Sequence, residues 1–210
     1  MIQLIQKQQA IQLRIDADII NTSGQNFDLE ALKTAIIKQL QTVFTVSVGH
    51  YDLSILVNVT VLKHVRDCSP KKILFQIVDS ISGNNPAEAV LKGMRIKLNK
   101  NVIDDIIHNR NQRTIAHEIG HLLGWNHPHA NATFESINAN AHSLEQQLSE
   151  SERQHNLMSQ TWYAQKANVS INRAIKITPQ QIEVLQEYSQ KMELNKNYHL
   201  NYFWFWKKLA

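Results

Sequence analysis

Cysteine is nearly missing from the sequence, since Cys68 is the only one among 210 residues. A single cysteine cannot form an intrachain disulfide, so any cross-link within the chain has to come from a metal ion or from packing. Cys68 lies in the polar stretch 67–72, which is typical of a turn. We interpret it as an ordinary loop thiol; a nucleophile and a thiol that holds a zinc site closed are the alternatives.

Long hydrophobic runs are also missing. No stretch approaches the ~20 apolar residues of a membrane span, so we predict no transmembrane segment. The N-terminal segment lacks the basic flank and the apolar core of a signal peptide. We expect a secreted or exported protein whose export signal is not visible in this sequence, with a cytoplasmic protein as the alternative.

A strong excess of one charge is missing too. The formal net charge is +4, and the Lys and Arg residues are scattered along the chain, so a nucleic-acid partner is not expected. Hydrophobic residues make up 43% and charged residues 19%, as in ordinary folded domains, which argues against a disordered or fibrous chain. A chain of this length can bury a core without oligomerising, and we expect a monomer.

Hydrophobic periodicity predicts a mixed α and β chain. Alternating apolar residues predict strands over residues 11–19 and 53–61, and an apolar run predicts a third over 73–78. Between the first two strands, Asp28 is the predicted N-cap of a helix that ends near Phe44. After the break at residues 83–86 we predict a helical turn over 87–91 and a short strand over 94–98 at a sheet edge.

The second half of the chain contains two more predicted helices. One covers residues 112–123, with Asn111 as a candidate N-cap. The other begins with Thr178 as N-cap, Pro179 at the first helical position and Gln181 three residues after the cap, and runs to about residue 192. Residues 129–154 between them are polar and read as an insertion, with one helical stretch through residues 144–148.

Two histidines on the first of these helices form a candidate metal site. His117 and His121 are four residues apart, so both side chains lie on one helix face and can reach the same ion. Zn²⁺ accepts neutral imidazole nitrogens, and a catalytic zinc uses three protein ligands and keeps one position for water. His127 can be the third ligand, because Gly124 can adopt the left-handed conformation that ends the helix and turns the chain back.

Glu118 follows the first histidine and is the candidate catalytic base. A carboxylate beside a metal-bound water can take its proton during attack on a peptide carbonyl and deliver it to the leaving nitrogen. These residues predict a zinc-dependent endopeptidase with one catalytic Zn²⁺ and a protein or peptide substrate. The alternatives are an accidental match on a surface helix, a structural zinc, and a zinc-containing module that binds a peptide without cutting it.

The stretch 117–127 resembles the metzincin clan of metallopeptidases, because it carries H-E-x-x-H-x-x-G-x-x-H at every fixed position. Asn156-Leu157-Met158-Ser159 is similar to the clan's methionine turn, which would place Met158 beneath the metal; an ordinary core methionine is the alternative. The resemblance implies an α+β, zincin-like fold with a twisted mixed sheet, a backing helix, an active-site helix and a smaller helical part below the cleft. It also implies an extended substrate beside an edge strand, for which residues 94–98 are the candidate.

The resemblance also implies a domain organisation, and the sequence differs from some clan members at one position. We expect one catalytic domain over 1–210, with an N-terminal subdomain (1–127) and a C-terminal subdomain (128–210) that holds the methionine turn and the last helix. Some clan members have a tyrosine two residues after the turn methionine; Gln160 stands there, so a tyrosine ligand is excluded. Tyr163 is a candidate oxyanion stabiliser, with simple packing as the alternative. A propeptide or inhibitor is a candidate partner.

Other histidines and the C-terminal tail are weaker candidates for function. His129, His142 and His155 are weak candidates for a second ion, because isolated histidines at this spacing are mostly solvated. Calcium is not predicted, because the 129–154 insertion contains no Asp and only scattered Glu. The aromatic and basic tail over residues 198–208 is expected to pack on the domain, with a membrane surface or a partner as the alternative.

Overall fold

The computed structural model describes residues 2–90, 93–128, 148–160 and 170–190. Seven strands form one sheet: β1 (Ile2–Lys7), β2 (Ala10–Asn21), β3 (Val46–Val48), β4 (Tyr51–Val61), β5 (Ile73–Val78), β6 (Ala87–Ala89) and β7 (Arg95–Asn99). The α-helices are α1 (Leu29–Phe44), α2 (Ile103–Ile107), α3 (Thr114–Leu122), α4 (Glu150–His155) and α5 (Pro179–Gln190). The architecture is therefore α+β with a mixed sheet.

Strand β2 is the centre of the sheet, whose order is β3-β4-β2-β5-β7-β6. One edge of β2 pairs with β4 in parallel along its length, and the other edge pairs first with β1 and then with β5. β7 continues the parallel arrangement beside β5, whereas β3 and β6 are antiparallel to their neighbours. Strands β2 and β4 were predicted from alternating apolar residues and β5 from an apolar run, and the inward side chains of all three form the core.

The short strand β6 corrects two predictions. Residues 87–89 form a strand antiparallel to β7, with Ala87 opposite Leu98, and not the predicted helical turn. The prediction that residues 94–98 lie at a sheet edge is also wrong, because β7 has β5 on one side and β6 on the other. A three-residue strand is too short to show a period, and Ala and Glu favour helix when no partner strand is considered. The first strand, β1, was also missed.

Helix α1 lies against the sheet and supports α3. Asp28 caps it, since its side chain accepts a hydrogen bond from the Ala31 N–H at 2.9 Å, and the helix ends at Phe44 as predicted. The helix contacts β4, α2 and α3. Buried Gln39 joins it to α3, because its Oε1 accepts from the Ala116 N–H at 3.1 Å and its Nε2 donates to the Asn111 carbonyl at 2.8 Å.

The C-terminal described segments share the core of the sheet and α3. Leu157, Met158, Ile182 and Leu185 belong to the same cluster of buried side chains as the inward residues of β2. Helix α5 begins at Pro179, as predicted, and is described to Gln190. Within the described ranges, none of the helices has the length and apolar character needed to cross a membrane.

Candidate metal centre

Helix α3 presents two faces with different roles. It begins at Thr114, two residues later than predicted, with Arg113 and not Asn111 at the N-cap position; the Asn111 Oδ1 still accepts a hydrogen bond from the Thr114 N–H at 3.1 Å. Ile115 and Ile119 are completely buried in the core, whereas His117 and His121, one turn apart, lie on the face that borders a cavity of about 340 Å³. The helical period therefore separates the residues that stabilise the helix from those that can bind a ligand.

Gly124 ends α3 and turns the chain towards the histidines. Its φ is +88°, a left-handed conformation that residues with a Cβ rarely adopt. The Trp125 N–H donates to the Gly120 carbonyl and the Gly124 N–H to the His121 carbonyl, which is the hydrogen-bond pattern of a Schellman motif. The turn brings His127 back beside the helix, and Trp125 anchors it through its indole N–H, which donates to the Gln181 carbonyl at 2.8 Å.

The three histidines converge. One ring nitrogen from each of His117, His121 and His127 can be chosen so that the three lie within 4.8 Å of one another. The Nε2 atoms of His117 and His127 are 3.3 Å apart, and the ring centroids are separated by 4.8 to 5.3 Å. Three nitrogens at these distances can bind a single ion, so the arrangement is a candidate three-histidine metal site.

Backbone carbonyls hold the other nitrogen of two of these rings. His117 Nδ1 lies 2.8 Å from the Leu157 carbonyl, and His121 Nδ1 lies 3.0 Å from the Trp125 carbonyl. A carbonyl can only accept, so each Nδ1 carries the hydrogen and each Nε2 keeps a free lone pair for an ion. Beside His127 the neighbour is a donor instead of a carbonyl, because the Gln160 amide Nε2 lies 3.2 Å from His127 Nδ1.

Burial keeps two of the candidate ligands, His117 and His121, neutral. It lowers the pKa of His121 to about 4 and the pKa of His117 well below its ordinary value, with His121 and Arg113 adding to the effect at His117. Both rings are therefore neutral imidazoles at neutral pH, each with one N–H. Neutral imidazole is the form that binds Zn²⁺, so these two rings fit that ion.

Glu118 lies in the same cavity as the histidines, next to strand β6. Its side chain lines the same cavity, is only 6% exposed, and accepts a hydrogen bond from the Ala89 backbone N–H of β6. Burial raises the pKa of the carboxyl to about 8. A bound divalent cation would favour the ionised form and lower that pKa.

The methionine turn (residues 156–159) lies beneath α3. The Ser159 N–H donates to the Asn156 carbonyl at 3.1 Å and closes the turn. Met158 is completely buried, and its sulfur occupies the space in which a side chain at Gly120 would lie. The Met158 side chain thus packs directly on the backbone of the helix that carries the histidines.

A buried amide pair joins the methionine turn to α5. Asn156 Nδ2 donates to Gln181 Oε1 at 2.9 Å, and Gln181 Nε2 donates to Asn156 Oδ1 at 3.2 Å. Gln181 Oε1 also accepts from the Thr178 N–H at 2.9 Å, which makes Gln181 part of the α5 N-terminal cap. The residue that caps the helix therefore also holds the turn in place.

Several of the weaker candidates can be located only in part. Tyr163, His129, His142 and the tail after Gln190 lie outside the described residues. Of the 129–154 insertion, only residues 148–154 are described, and there α4 begins at a capping box of Ser149 and Glu152. His155 is half-buried, and its Nδ1 lies 2.9 Å from the Ser151 carbonyl, one turn back in the same helix.

The Cys68 thiol lies in the loop that follows residues 65–67 and is buried. Only 8% of the residue is exposed, and burial raises its pKa to about 11, with the carboxylates of Asp18 and Asp67 adding to the effect. At neutral pH the thiol is therefore protonated and a poor nucleophile. Among the described residues, the one group of metal-binding side chains is the three histidines, and Cys68 is not part of it.

Sequence reasoning missed four residues that shape the centre. Gly120 could have been suspected, because a glycine inside a helix lowers its stability and often marks close packing. Arg113 lies one turn before His117 and is buried, but a single arginine carries no such signal in the sequence. The roles of Ala89 and Gln181 depend on contacts with segments far along the chain, so no local pattern indicates them.

No protein-family model matches the chain, and a search of the curated proteins found no relative.

Proposed function

We propose that the protein is a zinc-dependent endopeptidase in which His117, His121 and His127 hold one Zn²⁺ and Glu118 is the catalytic base. The observation that carries the proposal is the convergence of the three imidazoles beside a buried carboxylate in one cavity. A structural zinc would be expected to have four protein ligands. Here three histidines and an adjacent base line a cavity, which favours a catalytic site.

The chemistry divides between the ion and the chain. Zn²⁺, when bound, polarises a carbonyl and brings the pKa of a water ligand to about 7. Glu118 accepts a proton from water at its carboxylate during attack on the peptide carbonyl, and returns that proton to the leaving nitrogen. The Ala89 N–H holds the carboxylate in place, and burial excludes competing bulk water.

Strand β6 is the element beside which we place the substrate. It ends the described sheet, and residues 85–89 line the cavity with the histidines and Glu118. A peptide in extended conformation can pair with a strand edge through its backbone. This position replaces the predicted one at residues 94–98, whose hydrogen-bonding edges are both occupied by neighbouring strands.

The metzincin resemblance and the domain organisation are part of the same proposal. The methionine turn beneath α3 and the left-handed Gly124 support membership of that clan. The shared core of the sheet, α3 and α5 supports one catalytic domain over residues 1–210, with its cleft between a part formed by 1–127 and a part formed by 128–210. Secretion or export, with a cytoplasmic location as the alternative, stays a prediction.

A proteome-derived peptide library tests the activity and maps its preference. We expect purified protein to contain about one zinc per chain and to cleave the library, and chelation to abolish cleavage. Glu118→Gln should keep its zinc and lose at least ~10²-fold in rate, because general-base catalysis contributes ~10² to 10⁴-fold. The exposed Glu183 on α5 provides the matched control, Glu183→Gln, which should cleave like wild type.

Two outcomes would contradict the proposal. Unchanged cleavage by Glu118→Gln would exclude that residue as the base. Zinc at one per chain with no cleavage, in protein shown by mass spectrometry to carry no propeptide or inhibitor, would instead indicate the zinc-containing binding module.

A further inference from the structure

Arg113 is a buried cation beside the candidate ligands. It lies four residues before His117, lines the same cavity, and is only 5% exposed. Burial lowers the pKa of its guanidinium to about 10, with the carboxylate of Glu118 opposing that effect, so it is still charged at neutral pH. A charged group is costly to bury unless its hydrogens are bonded.

The guanidinium binds the backbone of the methionine turn on both sides of Met158. Its Nε donates to the Leu157 carbonyl at 3.0 Å and its Nη2 to the same oxygen at 2.6 Å. Nη2 also donates to the Ser159 carbonyl. A planar guanidinium can reach both carbonyls at once in this way, whereas an ammonium is a single point of contact.

The Leu157 carbonyl is also the oxygen to which His117 donates. His117 Nδ1 lies 2.8 Å from it, and Arg113 Nη2 lies 3.1 Å from the same nitrogen. Nη2 has two hydrogens, and the Leu157 and Ser159 carbonyls accept both. His117 therefore donates its own Nδ1 hydrogen to Leu157, which leaves Nε2 free for the ion.

We propose that Arg113 is a positioning residue for the metal: it fixes the Leu157 carbonyl and thereby the orientation and tautomer of the His117 ring. The inference rests on the proposed zinc site. Arg113 does not touch the ion or the substrate in this role. It joins two segments that are far apart in sequence, the helix that carries two ligands and the turn beneath them, at the atom that orients the first ligand.

Zinc affinity measures this role directly. Metal-free wild type and variants compete with a chromophoric chelator for Zn²⁺, at a pH and temperature where circular dichroism shows each of them folded. Groups that orient a ligand typically contribute 10 to 100-fold to metal affinity, so Arg113→Met should bind zinc about 10 to 100-fold more weakly. Arg113→Lys should give an intermediate value, because an ammonium holds one carbonyl at a time.

Two controls separate positioning from general stability. Arg110 is exposed and pairs with Asp105 at 2.7 Å, so Arg110→Met removes an arginine from the same region and should leave zinc affinity unchanged. Val59 is buried in β4 and does not line the cavity at the histidines. Val59→Ala removes part of a core side chain, so it should lower the unfolding midpoint without changing zinc affinity.

A second readout keeps the test decisive if Arg113→Met does not fold. In zinc-loaded protein, the Nδ1–H proton of His117 should exchange with solvent faster in Arg113→Lys than in wild type, as measured by ¹H–¹⁵N NMR of the imidazoles. Wild-type zinc affinity in a folded Arg113→Met would overturn the inference. So would wild-type affinity in Arg113→Lys together with unchanged exchange, since charge alone would then be sufficient.

The peptide digest is run on the same wild-type preparation. Zinc binding by wild type without cleavage would overturn the proposed peptidase and leave the Arg113 comparison valid. Cleavage by wild type with unchanged zinc affinity in Arg113→Met would overturn only the role of Arg113.

Discussion

Gly120 shows how a single missing side chain shapes the centre. Glycine lowers helix stability by about 1 kcal/mol relative to alanine, yet it lies in the middle of α3 between the two helical histidines. A Cβ at this position would collide with the Met158 sulfur and would lie 3.2 Å from the Trp125 ring. The glycine therefore allows the methionine turn to approach the helix backbone closely.

Gly120→Ala should destabilise the metal-free protein by about 1 to 3 kcal/mol, because overpacking outweighs the gain in helix propensity. The free energy of unfolding in urea measures this effect. A double-mutant cycle with Met158→Ala is the control: shortening Met158 should remove most of the penalty of the alanine, so the two changes should not be additive. A Gly120→Ala protein more stable than wild type would show that propensity dominates and that the contact is loose.

At the scale of elements, α5 stabilises a turn that lies before it in the chain. Gln181 closes the helix cap through the Thr178 N–H and pairs twice with the buried Asn156 side chain. The Leu157 N–H in turn donates to the Lys176 carbonyl at 2.8 Å, just before the helix. The segment 176–181 is thus one of the elements that hold the methionine turn in position.

Gln181→Ala should lower the free energy of unfolding by about 2 to 4 kcal/mol. It removes a cap, which contributes about 1 kcal/mol, and leaves the buried Asn156 Nδ2 donor without its acceptor, which costs about 1 to 3 kcal/mol. Gln190→Ala, at the exposed end of the same helix, is the matched control and should change stability by less than about 0.5 kcal/mol. Equal effects of the two substitutions would mean that the amide pair contributes nothing measurable.

At the scale of the whole molecule, the candidate metal site joins segments that are otherwise held by packing and hydrogen bonds. His117 and His121 belong to α3, His127 belongs to the chain after Gly124, and the Leu157 carbonyl that holds His117 belongs to the methionine turn. An ion bound there would stabilise the native state and leave the unfolded chain nearly unaffected. Metal binding should therefore appear as a change in the stability of the entire fold.

Zinc should raise the thermal midpoint of the metal-free protein by on the order of 10 °C when free zinc is about a thousandfold above Kd. Linkage gives about 4 kcal/mol at that excess, and about 2 to 4 °C per kcal/mol applies at this chain length. Differential scanning calorimetry with buffered zinc measures the shift. His121→Ala should abolish the shift and His155→Ala, in α4, should keep it; a full shift in His121→Ala would place the zinc elsewhere.

Local rules in the sequence predicted the parts of the centre that lie within one short segment. The spacing of His117 and His121 depends only on the helical period, and the turn at Gly124 depends only on its freedom at positive φ. The same holds for the Asp28 cap, the α5 start at Thr178 and the core faces of β2, β4 and β5. Each of these features depends on neighbours within a few residues, so a local pattern in the sequence is enough to predict it.

Tertiary structure alone decided which distant groups meet. Because β6 pairs with β7, the sheet ends at residues 87–89 and not at the predicted residues 94–98, and the Ala89 N–H donates to Glu118. The contacts of Arg113 with Leu157 and Ser159, of Gly120 with Met158, and of Gln181 with Asn156 join residues between 25 and 46 positions apart. Such contacts depend on the packing of whole elements, and no periodicity or motif in the sequence specifies them.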